Sequence, residues 1–212
     1  MKSILLLFIT FAFVGCSSNQ IINLRTAKNI VRDYYESGKY DEELEEIYAE
    51  AKSKIDKISV RQNSAAIFDV DDTALSNYQI SKRLDFGYDY KIVRDWVMSG
   101  KLPAIKPTKE FYDYLKSKGY KVVFLTGRQQ EEYDITFRNL IEQGYTGFDT
   151  LIVRSERARK IGAVLFKSSI RKELTNKGYE IVVCIGDQQT DLEGDYHGIQ
   201  VKIPNYLYLI DN

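Results

Sequence analysis

The sequence predicts an α/β fold: a parallel sheet with helices on both faces, plus a small helical cap. Three observations carry this. Short apolar runs alternate with stretches of helical periodicity, as in strand–helix–strand units. Three of the helical stretches close on a glycine, Gly119, Gly144 and Gly178, each able to take the left-handed cap. Acidic and hydroxyl residues follow three of the apolar runs, at the edge where a parallel sheet binds its ligands.

In chain order, Met1-Lys2-Ser3 leads into an apolar run from Ile4 to Val14, closing on Gly15-Cys16-Ser17-Ser18. The run is shorter than the ~20 residues of a membrane span and has the length of a signal-peptide core. A small residue before Cys16 resembles the bacterial lipoprotein cleavage box. On that reading residues 1–15 are a signal peptide. Cys16 then carries acyl chains that anchor the chain to a membrane, and residues 16–23 form a tether. Ordinary secretion with cleavage nearby, or an uncleaved anchor, are the alternatives. The mature chain would keep one thiol, Cys184, in the apolar run Ile181–Ile185, where it reads as a buried strand residue without a disulfide partner.

Residues 24–212 read as one domain. Leu24, Ala27, Ile30, Val31 and Tyr34/Tyr35 recur at helical spacing. Ser37-Gly38 breaks the pattern. Asp41 is then expected to cap a second helix whose apolar face is Leu44, Ile47, Tyr48, Ala51 and Ile55. The acid-rich stretch from Asp41 to Glu50 reads as a solvated face. Strands are expected at 65–68, 120–125, 150–153, 180–185 and 199–203, and helices at about 109–118, 130–143 and 169–177. Residues 74–107 are aromatic-rich and carry no strand of their own. They read as an insertion, which with the helical segment 24–58 forms the cap.

Composition narrows the function. The 212 residues carry 30 Lys plus Arg and 30 Asp plus Glu. A chain without net charge is not built to coat a nucleic-acid polymer. With 44% hydrophobic residues it can bury a core.

The chemistry lies at the strand ends. Asp69-Val70-Asp71-Asp72-Thr73 follows the first strand, Thr126-Gly127-Arg128 the second, and Gly186-Asp187 through Asp191 the fourth. Singly, each has a bland reading as an acidic turn or helix cap. In this order, each after its own strand, they converge on one crevice. Asp69, Asp71, Asp187 and Asp191 would repel one another without a cation, and hard oxygens suit Mg²⁺. A carboxylate facing a phosphate is a possible nucleophile. A second carboxyl two residues on is placed to protonate a leaving group and then activate water. Thr126 and nearby N–H groups would hold phosphate oxygens, and a lysine is needed to offset the charge.

Phe68–Thr73 (FDVDDT), Phe124–Arg128 (FLTGR), Phe166–Leu174 (FKSSIRKEL) and Ile185–Gly194 (IGDQQTDLEG) resemble motifs I to IV of the haloacid dehalogenase (HAD) superfamily. More narrowly they resemble its subfamily IIIB acid phosphatases, a group of bacterial class C acid phosphatase lipoproteins, plant acid phosphatases and vegetative storage proteins. The resemblance covers roughly residues 60–204 and includes Asp95-Trp96-Val97 in the insertion. It implies a Rossmann-like HAD fold. Asp69 would be nucleophile and metal ligand, and Asp71 general acid/base with its backbone carbonyl on the metal. Thr126 and Gly127 would bind the phosphoryl group, and Lys167 would neutralise it. Asp187 would be the third ligand to Mg²⁺, and Asp191 would position Lys167 or a water. Retention of Asp71 favours phosphatase over dehalogenase chemistry.

The resemblance further implies a small phosphomonoester substrate, with nucleoside 5′-monophosphates as first guess, an extracytoplasmic place (the outer membrane), and a homodimer. Asn77, Tyr78, Tyr88 and Trp96 are candidate substrate contacts, along with Phe86; each also reads as cap core or surface. Arg128 reads as structural, and the lone His197 as loop. The competing functions are a non-catalytic, storage-type binding lipoprotein and phosphotransfer to an alcohol acceptor. The intact acid set argues against the first.

Overall fold

The computed structural model describes residues 21–210, so the signal-peptide and Cys16 readings lie outside the described residues. A five-stranded parallel sheet forms the centre, in the order β3-β2-β1-β4-β5, from β1 (Ser64–Phe68), β2 (Lys121–Gln129), β3 (Thr150–Arg154), β4 (Glu180–Gly186) and β5 (Ile199–Lys202). Every expected strand is present. β2 is longer than expected, because its register with β3 shifts between Leu125 and Gln129 and Gln129 pairs with Arg154. Such irregularities re-aim side chains beside active sites, and this one carries Thr126 and Gly127.

Alternation along the strands splits the core into two layers. Ala66 and Phe68 of β1, Val122 and Phe124 of β2, and Val183 and Ile185 of β4 belong to one cluster. Ile67, Val123, Leu125 and Cys184 belong to the other. Helices α2 (Lys39–Ile55) and α5 (Lys106–Ser117) cover the first layer with Leu44, Tyr48, Phe111 and Leu115; Leu140 of α6 (Tyr133–Glu142) joins them. Helix α7 (Ala163–Asn176) covers the second with Phe166 and Leu174. It starts six residues before the expected 169, and that extra turn and a half brings Lys167 under the sheet edge. Cys184 is buried and free, and burial pushes its thiol up to about 12.

Asp41 does not cap α2. The helix starts from Gly38, whose φ of 93° suits glycine, and Asp41 and Glu42 sit in its first turn, where carboxylates favour the positive end of the helix dipole. Gly119, Gly144 and Gly178 do take positive φ after α5, α6 and α7. The insertion folds into α3 (Tyr78–Arg83) and α4 (Tyr90–Ser99). Helix α1 (Leu24–Glu36) joins this cap: Tyr35 stacks on Tyr78 with ring centres 4.8 Å apart, and Glu36 pairs with Lys82. Among the described residues no helix is long and apolar enough to cross a membrane.

Candidate active site

The strand order reverses between β1 and β4, and the loops after these strands face each other across the reversal. Asp69 extends β1, its N–H donating to Ile185 O of β4 at 2.9 Å. Beyond it the chain turns back tightly: the N–H groups of Ala74 and Leu75 both donate to Val70 O, and Asp72 N–H to Leu75 O at 2.7 Å. Asp72 accepts a φ of 52° to make this turn. The turn separates three neighbouring acids into three surroundings.

Asp69 meets Lys167. The ammonium donates to Asp69 Oδ1 at 2.6 Å and to Asp191. The other oxygen of Asp69 accepts no hydrogen bond among the described residues, and Asp69 lines the cleft. Burial holds its carboxyl well above the usual range against the pull of Lys167, and Asp191 and Asp187 add to the rise. Lys167 is buried too, yet its two carboxylates outweigh that burial and raise it. Asp191 accepts from the Gln188 N–H at 2.9 Å through its second oxygen, so both oxygens already serve positioning bonds. Gly186 leaves room for this: a Cβ there would run into Asp191.

Asp71 meets Arg128. Nε donates to Oδ2 at 2.9 Å and an Nη to Oδ1 at 2.7 Å, a fork-on-fork pair. Asn77 Nδ2 adds a third bond at 2.9 Å, and Thr136 Oγ1 accepts from the other Nη of Arg128 at 2.9 Å. Burial would raise Asp71, but the charge and bonds of Arg128 outweigh it and hold the carboxyl below the usual range. Arg128, read from sequence as structural, is thus the partner of the second motif acid.

Asp72 meets the C-terminal segment. Its carboxylate accepts from Asn77 N–H at 2.8 Å and from the Tyr208 hydroxyl at 2.9 Å, and burial lifts it to about 7, with nearby Asp71 adding. Asp187 is held by Thr73 Oγ1 (3.0 Å), Gln188 Nε2 (2.6 Å) and Asn205 Nδ2 (2.7 Å), and burial lifts it to about 7 as well, helped by Asp191 and Asp72. Arg171, fully buried, binds the carbonyls of Asp191 and Asp195 at 2.8 and 3.1 Å and that of Glu193, pinning the loop after β4. Asn205 and Tyr208 lie outside the quoted motifs and reach their acids across 18 and 136 positions, while Gln188 sits inside the fourth motif, beside Asp187, with no pattern of its own to mark it.

Asp69, Asp71, Lys167, Asp187 and Asp191 open onto a cleft of about 920 Å³ between sheet edge and cap. Thr126 is buried at its floor, with Gly127 and Arg128 following along the same strand. Asn77, Phe86 and Tyr88 line the cleft. Tyr78 and Trp96, expected as possible substrate contacts, do not. Tyr78 turns onto α1, where its hydroxyl donates to Glu36 at 2.8 Å, and Trp96 packs against the core while Val93, Arg94 and Val97 take the cleft side of α4. His197 lies in a loop, its Nδ1 near Gly198 O.

Asp69, Asp187 and Asp191 each offer an oxygen within 4.8 Å of the others, all three buried. Four carboxylates, Asp69, Asp71, Asp187 and Asp191, face two cations, Lys167 and Arg128. The excess of negative charge and the all-oxygen donor set fit a hard divalent cation. The expected ligand set named Asp71 through its backbone carbonyl; its side chain belongs to Arg128.

A model of the HAD superfamily, subfamily IIIB (acid phosphatase), matches residues 8–211. The chain belongs to this subfamily. Among curated proteins, the stem 31 kDa glycoprotein of Glycine max is 31% identical over 93% of this chain and 84% of its own length. Acid phosphatase 1 of Solanum lycopersicum is 30% identical over 85% of this chain and 73% of its own, and vegetative storage protein 1 of Arabidopsis thaliana 32% over 93% and 77%. The class C acid phosphatase from Bacillus anthracis shares the fold with a TM-score of 0.70, at 21% identity, over 88% of this chain and 85% of that one. The subfamily IIIB chain is a phosphoric monoester hydrolase, and its cluster of three buried carboxylates and the order of its motifs accord with that.

Proposed function

We propose that the protein hydrolyses small phosphomonoesters in two steps through a phosphoryl group carried on Asp69. One observation supports this most: Asp69 is pinned through Oδ1 by Lys167, while its other oxygen accepts no hydrogen bond among the described residues and its carboxyl lines the cleft. In the first step that oxygen attacks phosphorus, a P–O bond to Asp69 forms, and the bond to the leaving oxygen breaks. Asp71 in its acid form gives the leaving oxygen a proton. In the second step Asp71 takes a proton from water, water oxygen bonds to phosphorus, and the bond to Asp69 breaks.

Arg128 keeps resting Asp71 ionised, the form the second step needs. Low pH supplies the acid form for the first. Thr126 and the N–H groups around Gly127 would receive phosphoryl oxygens, and Lys167 offsets their charge. Asp69 and Asp187, with the backbone carbonyl of Asp71, would hold Mg²⁺, with Asp191 keeping Lys167 in place. When bound, the cation keeps Asp69 ionised and stabilises charge on the transferring group.

The substrate is proposed as a nucleoside 5′-monophosphate or a similarly small ester. The related Bacillus anthracis protein is described with tungstate bound, an oxyanion of phosphate-like shape. The run ending at Gly15-Cys16 supports lipid anchoring on an extracytoplasmic face, at the outer membrane. Mass spectrometry of the mature N-terminus tests the anchor, and sedimentation tests the homodimer. A storage-type, non-catalytic role is suggested by the vegetative storage relatives; the complete acid set with Lys167 favours catalysis.

The test is phosphate release from an aryl phosphate and a panel of nucleotides, with Mg²⁺ and then with EDTA. Mg²⁺-dependent release is expected. No release by folded protein with Mg²⁺ present would move the reading to storage or binding.

A further inference from the structure

Two cations line the cleft apart from the acid cluster. Arg154 ends β3, and its guanidinium lies over the Phe166 ring, 4.9 Å from the centre. Phe166 precedes Lys167 on α7, so this cation stands beside the phosphate-binding end of the cleft. One Nη of Arg154 donates to Ile161 O at 3.1 Å, and its Nε is buried without a partner. Arg94 reaches the cleft from cap helix α4. Among the described residues neither arginine has a carboxylate partner within ion-pair distance. Of the neighbouring acids, Glu131 pairs with Arg159 and acts on Arg94 only through space, and Glu132 in the cleft wall is turned to its own helix start, accepting from Gln129 N–H at 2.6 Å.

A partly buried charge without a counter-ion is costly to keep. Elsewhere in this site buried cations are matched: Lys167 has two carboxylates and Arg128 one. Burial alone lowers Arg154, with no anion acting to restore it. A guanidinium seated over an aromatic ring keeps N–H groups free to meet a planar or tetrahedral anion. The phosphoryl group itself is already served by Thr126 and Lys167, so the anion that fits here is a second one.

We propose that Arg154, assisted by Arg94, forms a second anion subsite, and that among small phosphomonoesters those whose leaving group carries a carboxylate or a second phosphate are preferred over nucleoside 5′-monophosphates, whose leaving group has no such anion. This rests on the reading of Asp69 as the phosphoryl end of the cleft.

Calorimetry with non-hydrolysable ligands tests it without turnover. With Mg²⁺ present, (4-carboxybenzyl)phosphonate is compared with its neutral match, (4-carbamoylbenzyl)phosphonate, and 1,4-xylylene bisphosphonate forms the phosphate arm. The protein should bind the carboxylate or the bisphosphonate at least fivefold more tightly than the carbamoyl ligand. Whichever arm gains more names the second group. Arg154→Gln should remove the preference and Arg154→Lys should keep part of it. Arg94→Gln changes an exposed helix position and should weaken the preference even where Arg154→Gln failed to fold. Equal affinities for all three ligands would overturn the proposal, as would a preference that survives in Arg94→Gln and in folded Arg154→Gln. If no ester were hydrolysed while the phosphonate preference stood, the phosphatase mechanism would fall and this subsite would stand.

Discussion

The guanidinium of Arg128 and the carboxylate of Asp71 meet through two parallel hydrogen bonds of 2.9 and 2.7 Å. The pair fixes both the direction and the charge of the second motif acid. Arg128→Gln should raise the pKa of Asp71, because the cation that lowers it is gone. The activity limb that falls with rising pH should then move to higher pH. Loss of aim should also cost about 100-fold in kcat on alkyl phosphates, whose leaving group needs a proton. Aryl phosphates with acidic phenols should lose far less. Equal losses on both substrate types would separate Arg128 from the proton transfer.

Asp69→Asn keeps the size of the side chain and removes the attacking oxyanion. Turnover should fall more than about 100-fold, ~2.7 kcal/mol of barrier, while the circular dichroism spectrum stays unchanged. A variant retaining more than a hundredth of the rate would remove Asp69 from the nucleophile role.

Asp187 is steadied by Asn205 at 2.7 Å. Partners of a metal ligand typically change affinity by about 10–100-fold when removed. Asn205→Ala should raise the Mg²⁺ concentration for half-maximal rate about tenfold, and Asp187→Asn should raise it further. Excess Mg²⁺ should recover most of the Asn205→Ala rate. A Mg²⁺ titration curve identical to that of the unaltered protein would show that the tail does not act through the cation.

Among the described residues Asp72 has no partner cation, and burial lifts it from an ordinary 3.8 to about 7. The native state therefore binds this proton more tightly than the unfolded chain. Stability from this group is complete below about pH 4 and is lost as pH rises through about 7. The shift is worth on the order of 4 kcal/mol. Asp72→Asn imitates the protonated form, so its stability relative to the unaltered protein should grow between pH 4 and 7. Urea midpoints across that range, in EDTA, check this; parallel curves for the two proteins would refute it.

What the sequence made legible was what is local. Five apolar runs gave five strands, and glycines at 119, 144 and 178 closed helices because each needed a positive φ. The motif acids and Lys167 came together because a parallel sheet gathers its strand ends on one edge. What stayed hidden was pairing at a distance. Nothing near Tyr208 points to Asp72, 136 positions away. Arg128 sat in a recognised motif, but its worth became visible only once Asp71 was seen in its fork. Tyr78 and Trp96 lie outside the cleft lining because aromatic residues on a short cap helix serve the cap's own packing as readily as a ligand.

The segment after β5 has one more implication. Among the described residues from Pro204 onward there is no helix or strand, yet Asn205 and Tyr208 grip two of the site's acids and the Ile210 N–H donates to Gln188 at 2.9 Å. Proteolysis that removed the chain from Asn205 onward would take both side chains while leaving every described helix and strand in place. An aged preparation nicked in this way would look intact by spectroscopy and fail by assay.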